Sequence, residues 1–184
     1  SGKFDDALED YIEVPSDIVP FEQRPWMKAA EITDKVVEAI QNNQYDFIRL
    51  NYANGDMVGH TGIPQAVEIA VETVDLCLAR LVRAAKNVDG ILVVSADHGN
   101  SDDMYECDYK TGEVIYDEKT GKPKTRTAHS LNPVFAYVYE PTGSINMTLS
   151  AHQDLGISSL AATCLTLLGF EPPEDYTPSI VVIN

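Results

Sequence analysis

The sequence predicts an α/β protein with a largely parallel sheet flanked by helices, and three observations carry that expectation. Stripes of apolar residues at helical spacing alternate along the chain with short apolar runs. One of those runs, Ile91-Leu92-Val93-Val94, is continuous rather than alternating, the pattern of a strand buried on both faces. Three of the four histidines stand in polar loops beside strand ends, and open α/β sheets collect their ligands at the carboxyl ends of strands.

The elements follow in order. Residues 1–27 read as irregular, punctuated by Pro15, Pro20 and Pro25, with Tyr11-Ile12-Glu13-Val14 as one short candidate strand. Ile32, Val36, Val37 and Ile40 mark one face of a helix running from Lys28 to about Asn43. Asp46 to Tyr52, rich in Phe, Ile and Leu, reads as a strand. Ala53 to Gly62 contains Gly55, Gly59 and Gly62, a density that favours a loop over a helix. Pro64 suits a first helical turn, and Val67, Val71, Val74, Leu78, Leu81 and Ala85 form the apolar stripe of a helix reaching Lys86. Asp89-Gly90 then turns the chain into a strand, Ile91 to Ser95, that stops at Asp97-His98-Gly99. Residues 101–127 are polar, and Thr111-Gly112 and Thr120-Gly121 look like the turn centres of a hairpin excursion. Pro133 to Tyr139 reads as another strand, and Gly156 to Leu168 as a helix that Gly169 ends. No repeat or low-complexity segment stands out. Roughly three or four strands are few for such a sheet, so the sheet reads as incomplete in this chain.

Composition excludes several classes of function. With 44% hydrophobic and 23% charged residues, the 184-residue chain has the make-up of an ordinary globular protein. Its apolar runs are too short to span a bilayer, and no basic leader precedes an apolar stretch. The net charge of −16 argues against nucleic acid, which needs clustered Lys and Arg; only Lys119 to Arg126 forms even a loose basic group. The same acidity sets a condition on any anionic substrate. It binds only if metal ions, or basic residues supplied from elsewhere, reverse the local field. Cys77, Cys107 and Cys164 fall in no C-x-x-C spacing and read as reduced thiols, two of them on predicted helices, which points to the cytoplasm. The chain opens on Ser1-Gly2 rather than Met, which reads either as an added N-terminal scar or as the middle of a longer protein.

The chemistry concentrates in three places: Asp56-x-x-x-His60 after the strand 46–52, Asp97-His98 after the strand 91–95, and His129 just before the strand 133–139. Carboxylate with imidazole is a ligand set for zinc, manganese or iron. Neighbours in a strand point to opposite faces, so Asp97 and His98 share a crevice only if the backbone turns, which Gly99 permits. Five ligands crowd a single site that must also admit substrate. Two metals sharing them is the better arithmetic, and paired ions suit phosphate chemistry. Each motif taken singly is a common solvated pair; their joint placement is what points to metal.

These residues also carry a resemblance. Asn54-Gly55-Asp56-Met57-Val58-Gly59-His60-Thr61-Gly62, Ser95-Ala96-Asp97-His98-Gly99-Asn100 and Thr127-Ala128-His129-Ser130-Leu131-Asn132-Pro133 resemble, in order and spacing, three signature stretches of cofactor-independent phosphoglycerate mutase. The similarity extends over nearly the whole chain, including the opening Ser-Gly-Lys-Phe and Glu13-Val14-Pro15-Ser16. Many bacterial members have Pro where this chain has Gly55; Asn-Gly-Asp-Met is the form of the plant and trypanosomatid-like branch.

The resemblance implies an alkaline-phosphatase-like fold, of which residues 1–184 are the C-terminal portion of the metal-binding phosphatase-like domain. It implies interconversion of 3-phosphoglycerate and 2-phosphoglycerate in glycolysis through a phosphoserine. One metal would take Asp56, His60 and His129. The second would take Asp97 and His98, with an Asp and the nucleophilic Ser near the protein's N-terminus. The metals are usually manganese, with magnesium or cobalt in some members, and members are commonly monomers. This chain departs from the family pattern in what it lacks: the N-terminal Asp and Ser, the inserted transferase domain, and the Arg and Lys residues that hold substrate. Ser95, Ser101 and Ser130 lie near the motifs, but none matches the nucleophile, so no catalytic residue is expected within the chain. His152 matches no ligand and reads as a surface or helix-cap residue. The alternatives are another alkaline-phosphatase relative, such as a phosphopentomutase, phosphatase or phosphodiesterase, or a non-catalytic metal-binding module.

Overall fold

The computed structural model describes residues 3–184; Ser1 and Gly2, the start of the Ser-Gly-Lys-Phe stretch, lie outside it. After a 3-10 turn at Phe21–Gln23 come α1 (Ala29–Gln41), α2 (Asn54–Gly59), α3 (Pro64–Asn87), β1 (Leu92–Ser95), β2 (Ala136–Tyr139), β3 (Met147–Leu149), α4 (Ser159–Leu167) and β4 (Val181–Ile183). The chain forms two compact units. The first comprises the segment up to Leu81 with Asn100–Ser130, and the second comprises Val82–Gly99 with Leu131–Asn184.

In the first unit the core gathers Val58 from α2, Ala66, Val67 and Ala70 from α3, and Met104, with Phe21 and Met27 packed against it. Full burial of Val58 contributes about 1.5–3 kcal/mol. On α1, the buried Thr33 hydroxyl donates to the Ala29 carbonyl at 2.6 Å and lies 2.6 Å from the Tyr52 hydroxyl, which donates to it.

Three expectations fail in this unit. Asp46 to Tyr52 has apolar strand character but belongs to no ladder among the described residues. A strand needs a neighbour about 4.8 Å away, and no described strand supplies one; the sequence secures only an extended backbone. Tyr11 to Val14 likewise forms no strand. Ala53 to Gly62 is not all loop either, since Asn54–Gly59 is helical. Amides of Met57 and His60 donate to the carbonyls of Ala53 and Asp56 at 2.9 and 3.0 Å. Each glycine costs a helix only about 1 kcal/mol. Fully buried Asn54, whose side-chain amide donates to the Pro25 carbonyl at 2.9 Å, offsets that cost.

The excursion at 101–127 is a hairpin structure, as expected, but with three pairing segments. Tyr105 bridges Thr125, Cys107 bridges Val114, and Tyr116 bridges Pro123, all antiparallel, so each segment pairs with the other two. Its two tips repeat one turn. The motif Asp-x-Lys-Thr-Gly occurs at Asp108–Gly112 and again at Asp117–Gly121, a short repeat that a reading for longer periods passes over. In each, the Asp carboxylate accepts from the amides two and three residues on (Lys110 and Thr111 at 2.8 and 3.0 Å, Lys119 and Thr120 at 3.0 and 2.8 Å). Those amides hold both carboxyls below the usual carboxylate range. The closing glycines sit at φ 73° and 66°, where side chains are disfavoured.

The second unit holds two small antiparallel sheets, and no parallel pair is present among the described residues. β1 pairs antiparallel with β2, from Leu92 opposite Tyr139 to Ser95 opposite Ala136. β3 pairs antiparallel with β4, from Met147 opposite Ile183 to Leu149 opposite Val181. A parallel pair requires a crossover that brings the chain back in the same direction, usually a helix, and the segment between β1 and β2 contains none. β1 is half-buried along its length rather than covered on both faces. β3 and β4 were not expected from the sequence; at three residues each they are too short to show a period. Buried Thr163 of α4 donates to the Ser159 carbonyl at 2.7 Å and accepts the Ile180 amide at 3.0 Å, tying α4 to the start of β4. Gly169, at φ 83°, ends that helix. Among the described residues no helix is long and apolar enough to cross a membrane.

Candidate metal centre

Because α2 is helical, Asp56 and His60 stand four residues apart on one face. His129 reaches the same point from the segment that follows the hairpin. Asp56 Oδ1 lies 3.1 Å from His60 Nε2 and 3.1 Å from His129 Nε2, and the two imidazole nitrogens are 3.1 Å apart. The three atoms make a near-equilateral triangle.

The protonation of His60 follows from its other nitrogen. Nδ1 lies 2.6 Å from the Thr127 carbonyl, which can only accept, so Nδ1 carries the hydrogen. In the neutral ring Nε2 then presents a lone pair to a carboxylate oxygen and a second imidazole. Such an arrangement repels itself unless a cation or a proton stands between the three atoms. Ligands about 2.1 Å from a divalent ion lie about 3.0 Å apart in an octahedral face and about 3.4 Å apart in a tetrahedral one. The triangle has that size. The residues fit a metal ion.

The surroundings hold the triangle in place. The Asn100 side-chain amide donates to Asp56 Oδ1 at 3.1 Å, and the Ser101 hydroxyl donates to the Gly55 carbonyl at 2.5 Å. Arg126 donates to Asp103 at 2.8 Å and to the His129 carbonyl at 3.2 Å, and buried Ser130 donates to Asp102 at 3.0 Å. Just past His60, Gly62 turns at φ 67°, and a Cβ there would stand 2.8 Å from Thr125 Oγ1 and 3.0 Å from Thr127 Cγ2. Sequence reading assigned no role to Asn100, Thr127 or Arg126. Asn100 at least adjoins Asp97-His98-Gly99; the Thr127 contact is made by a backbone carbonyl, for which no residue type is a signal.

Asp97 and His98 belong to the second unit, in the turn after β1. His98 Nε2 lies 3.6 Å from Asp97 Oδ1, with the His98 side chain 27% exposed and that of Asp97 81%. The backbone does turn here, and adjacent side chains come together that a regular strand would send to opposite faces. In the same unit Ser95 donates to the Phe135 carbonyl at 2.8 Å. His152 is exposed.

A family model described as the Metalloenzyme superfamily matches residues 1–172. Among curated relatives, the 2,3-bisphosphoglycerate-independent phosphoglycerate mutase of Trypanosoma brucei brucei is 42% identical over 186 residues, covering 100% of this chain and 33% of that protein. The phosphoglycerate mutase 1 of the same kind from Arabidopsis thaliana is 41% identical over 187 residues, with the same coverage. The solved structure of Leishmania mexicana phosphoglycerate mutase at low cobalt concentration superposes with a TM-score of 0.94 at 41% identity, over 100% of this chain and 33% of that one. The chain thus spans about a third of the length of the relatives it matches.

Proposed function

The chain belongs to the Metalloenzyme superfamily, and from that premise we propose that the full-length protein interconverts 3-phosphoglycerate and 2-phosphoglycerate at a two-metal site, as a step of glycolysis and gluconeogenesis. The observation that carries this reading is the triangle of Asp56 Oδ1, His60 Nε2 and His129 Nε2, three atoms able to ligate a metal and 3.1 Å apart. Relatives with the mutase name, matched along the whole chain, supply the substrate class.

On this reading Asp56, His60 and His129 hold one divalent ion, while Asp97 and His98 contribute to the second. Manganese suits the mixed carboxylate and imidazole set, and magnesium or cobalt are the substitutes to test. When bound, the ions supply positive charge to phosphate oxygens and ease deprotonation of a coordinated hydroxyl. The chain's own residues do the positioning. Thr127 keeps the hydrogen of His60 on Nδ1, and Arg126 fixes the backbone that presents His129. We infer that the serine nucleophile and the basic residues that hold the substrate lie in the two-thirds of the relatives' length that this chain does not span. That also answers the charge problem, since a chain of net charge −16 repels an anionic substrate. Three free cysteines suit a reducing compartment, and we place the protein in the cytoplasm.

The test is metal-dependent turnover by the full-length protein. Chelation should abolish formation of 2-phosphoglycerate from 3-phosphoglycerate, read by phosphorus NMR, and added Mn2+ should restore it. Phosphopentose and an aryl phosphate, run in parallel, should turn over at least about 100-fold more slowly, the discrimination a site built for one substrate's polar groups achieves. Faster turnover of either rival, or unchanged activity after chelation, would overturn the assignment.

A further inference from the structure

We propose that Asn100 is a positioning residue for Asp56 and that Gly59 is glycine because the Asn100 amide occupies the place of its side chain; this rests on the metal reading above. Asn100 is 5% exposed, and its Nδ2 lies 3.1 Å from Asp56 Oδ1, the same oxygen that faces both imidazoles, and 3.5 Å from the Asp56 carbonyl. The carboxylate fixes the amide's orientation, since the flipped rotamer would set carbonyl oxygen against carboxylate oxygen. Its Oδ1 is consequently turned into the protein, where it accepts no hydrogen bond from the described residues. A buried acceptor without a partner is unfavourable, so what the donor on the other side accomplishes must outweigh it.

Gly59 is what makes room for that amide. A Cβ built on Gly59 would overlap Asn100 Oδ1 and stand 2.8 Å from Cγ and 3.3 Å from Nδ2. Any side chain at 59 therefore expels the amide or displaces α2. Ser101 extends the grip, its hydroxyl on the Gly55 carbonyl one residue before Asp56. The result is a carboxylate whose metal-facing oxygen is selected, and whose rotation is stopped, by a neutral donor that brings no charge of its own. Supporting hydrogen bonds of this kind change metal affinity by about 10–100-fold when removed.

The test separates positioning from packing. Metal-stripped full-length protein is titrated with Co2+, following the visible absorption of the bound ion and, separately, thermal unfolding; His60→Ala identifies which titration step belongs to the Asp56 ion. Asn100→Ala and Gly59→Ala should each weaken that step about tenfold or more and shift its absorption band. In the double variant Gly59→Ala/Asn100→Ala the new methyl occupies the space the amide leaves. Its unfolding temperature should recover relative to Gly59→Ala, while its Co2+ step stays weak and no worse than in Asn100→Ala. Wild-type affinity and spectrum in Asn100→Ala, or their return in the double variant, would reduce the pair to packing and overturn the proposal. If the unmutated protein itself showed no Co2+ step sensitive to His60→Ala, the metal reading would fall instead.

Discussion

In the full-length protein, His129→Ala should lower affinity for the ion at Asp56 by at least about 100-fold, beyond the 10–100-fold expected from losing a supporting hydrogen bond. Phosphoglycerate turnover should fall by at least about 1,000-fold, since a centre whose members act as a unit fails when any one is removed. The fold should tolerate the change. The His129 side chain is 47% exposed, and the contact that anchors this segment, Arg126 to the His129 carbonyl, uses backbone that alanine retains. His60→Ala should behave alike, and the double variant should be little worse in activity than either single one, because two remaining donors already hold the ion poorly. Metal content after dialysis, measured by elemental analysis beside the rate, checks this. Wild-type metal retention in both single variants would mean that the triangle is a hydrogen-bonded cluster sharing a proton.

The second large effect concerns the 184-residue chain by itself, which should convert no 3-phosphoglycerate even with saturating Mn2+. Each serine beside the motifs has its hydroxyl committed elsewhere. Ser95 donates to the Phe135 carbonyl, Ser101 to the Gly55 carbonyl, and Ser130 to Asp102. The net charge of −16 also opposes an anionic substrate. Loss of a nucleophile costs about 10⁴–10⁶-fold in comparable covalent mechanisms, so the rate of the purified chain should match the enzyme-free control. Manganese-dependent product formation by the chain alone would contradict this and would require a nucleophile among the described residues.

What the sequence made legible, and what it hid, divides along physical lines. α1 and α3 lie where their apolar stripes put them because burial of one face is a periodic signal, whereas α4 buries Ser159, Ala162 and Thr163 and was legible from the Gly169 that ends it. The helix at Asn54–Gly59 was hidden because its stability comes from a long-range anchor, Asn54 to Pro25, against local glycine preference. A parallel sheet was expected from strand–helix alternation, but pairing is a property of two segments, and the strand pairs among the described residues are antiparallel. At the site, Asp56, His60, Asp97, His98 and His129 stood out as residue types able to bind metal. Asn100 and Thr127 did not, since one acts through an amide that many turns contain and the other through its backbone.

The proposed chemistry requires a cation between Asp56, His60 and His129. Crystals of the full-length protein grown with Mn2+ and measured at the manganese absorption edge should show an anomalous peak about 2.1–2.3 Å from Asp56 Oδ1, His60 Nε2 and His129 Nε2. A second peak should lie on Asp97 and His98. A triangle that keeps its 3.1 Å edges with no anomalous density at its centre would contradict the assignment.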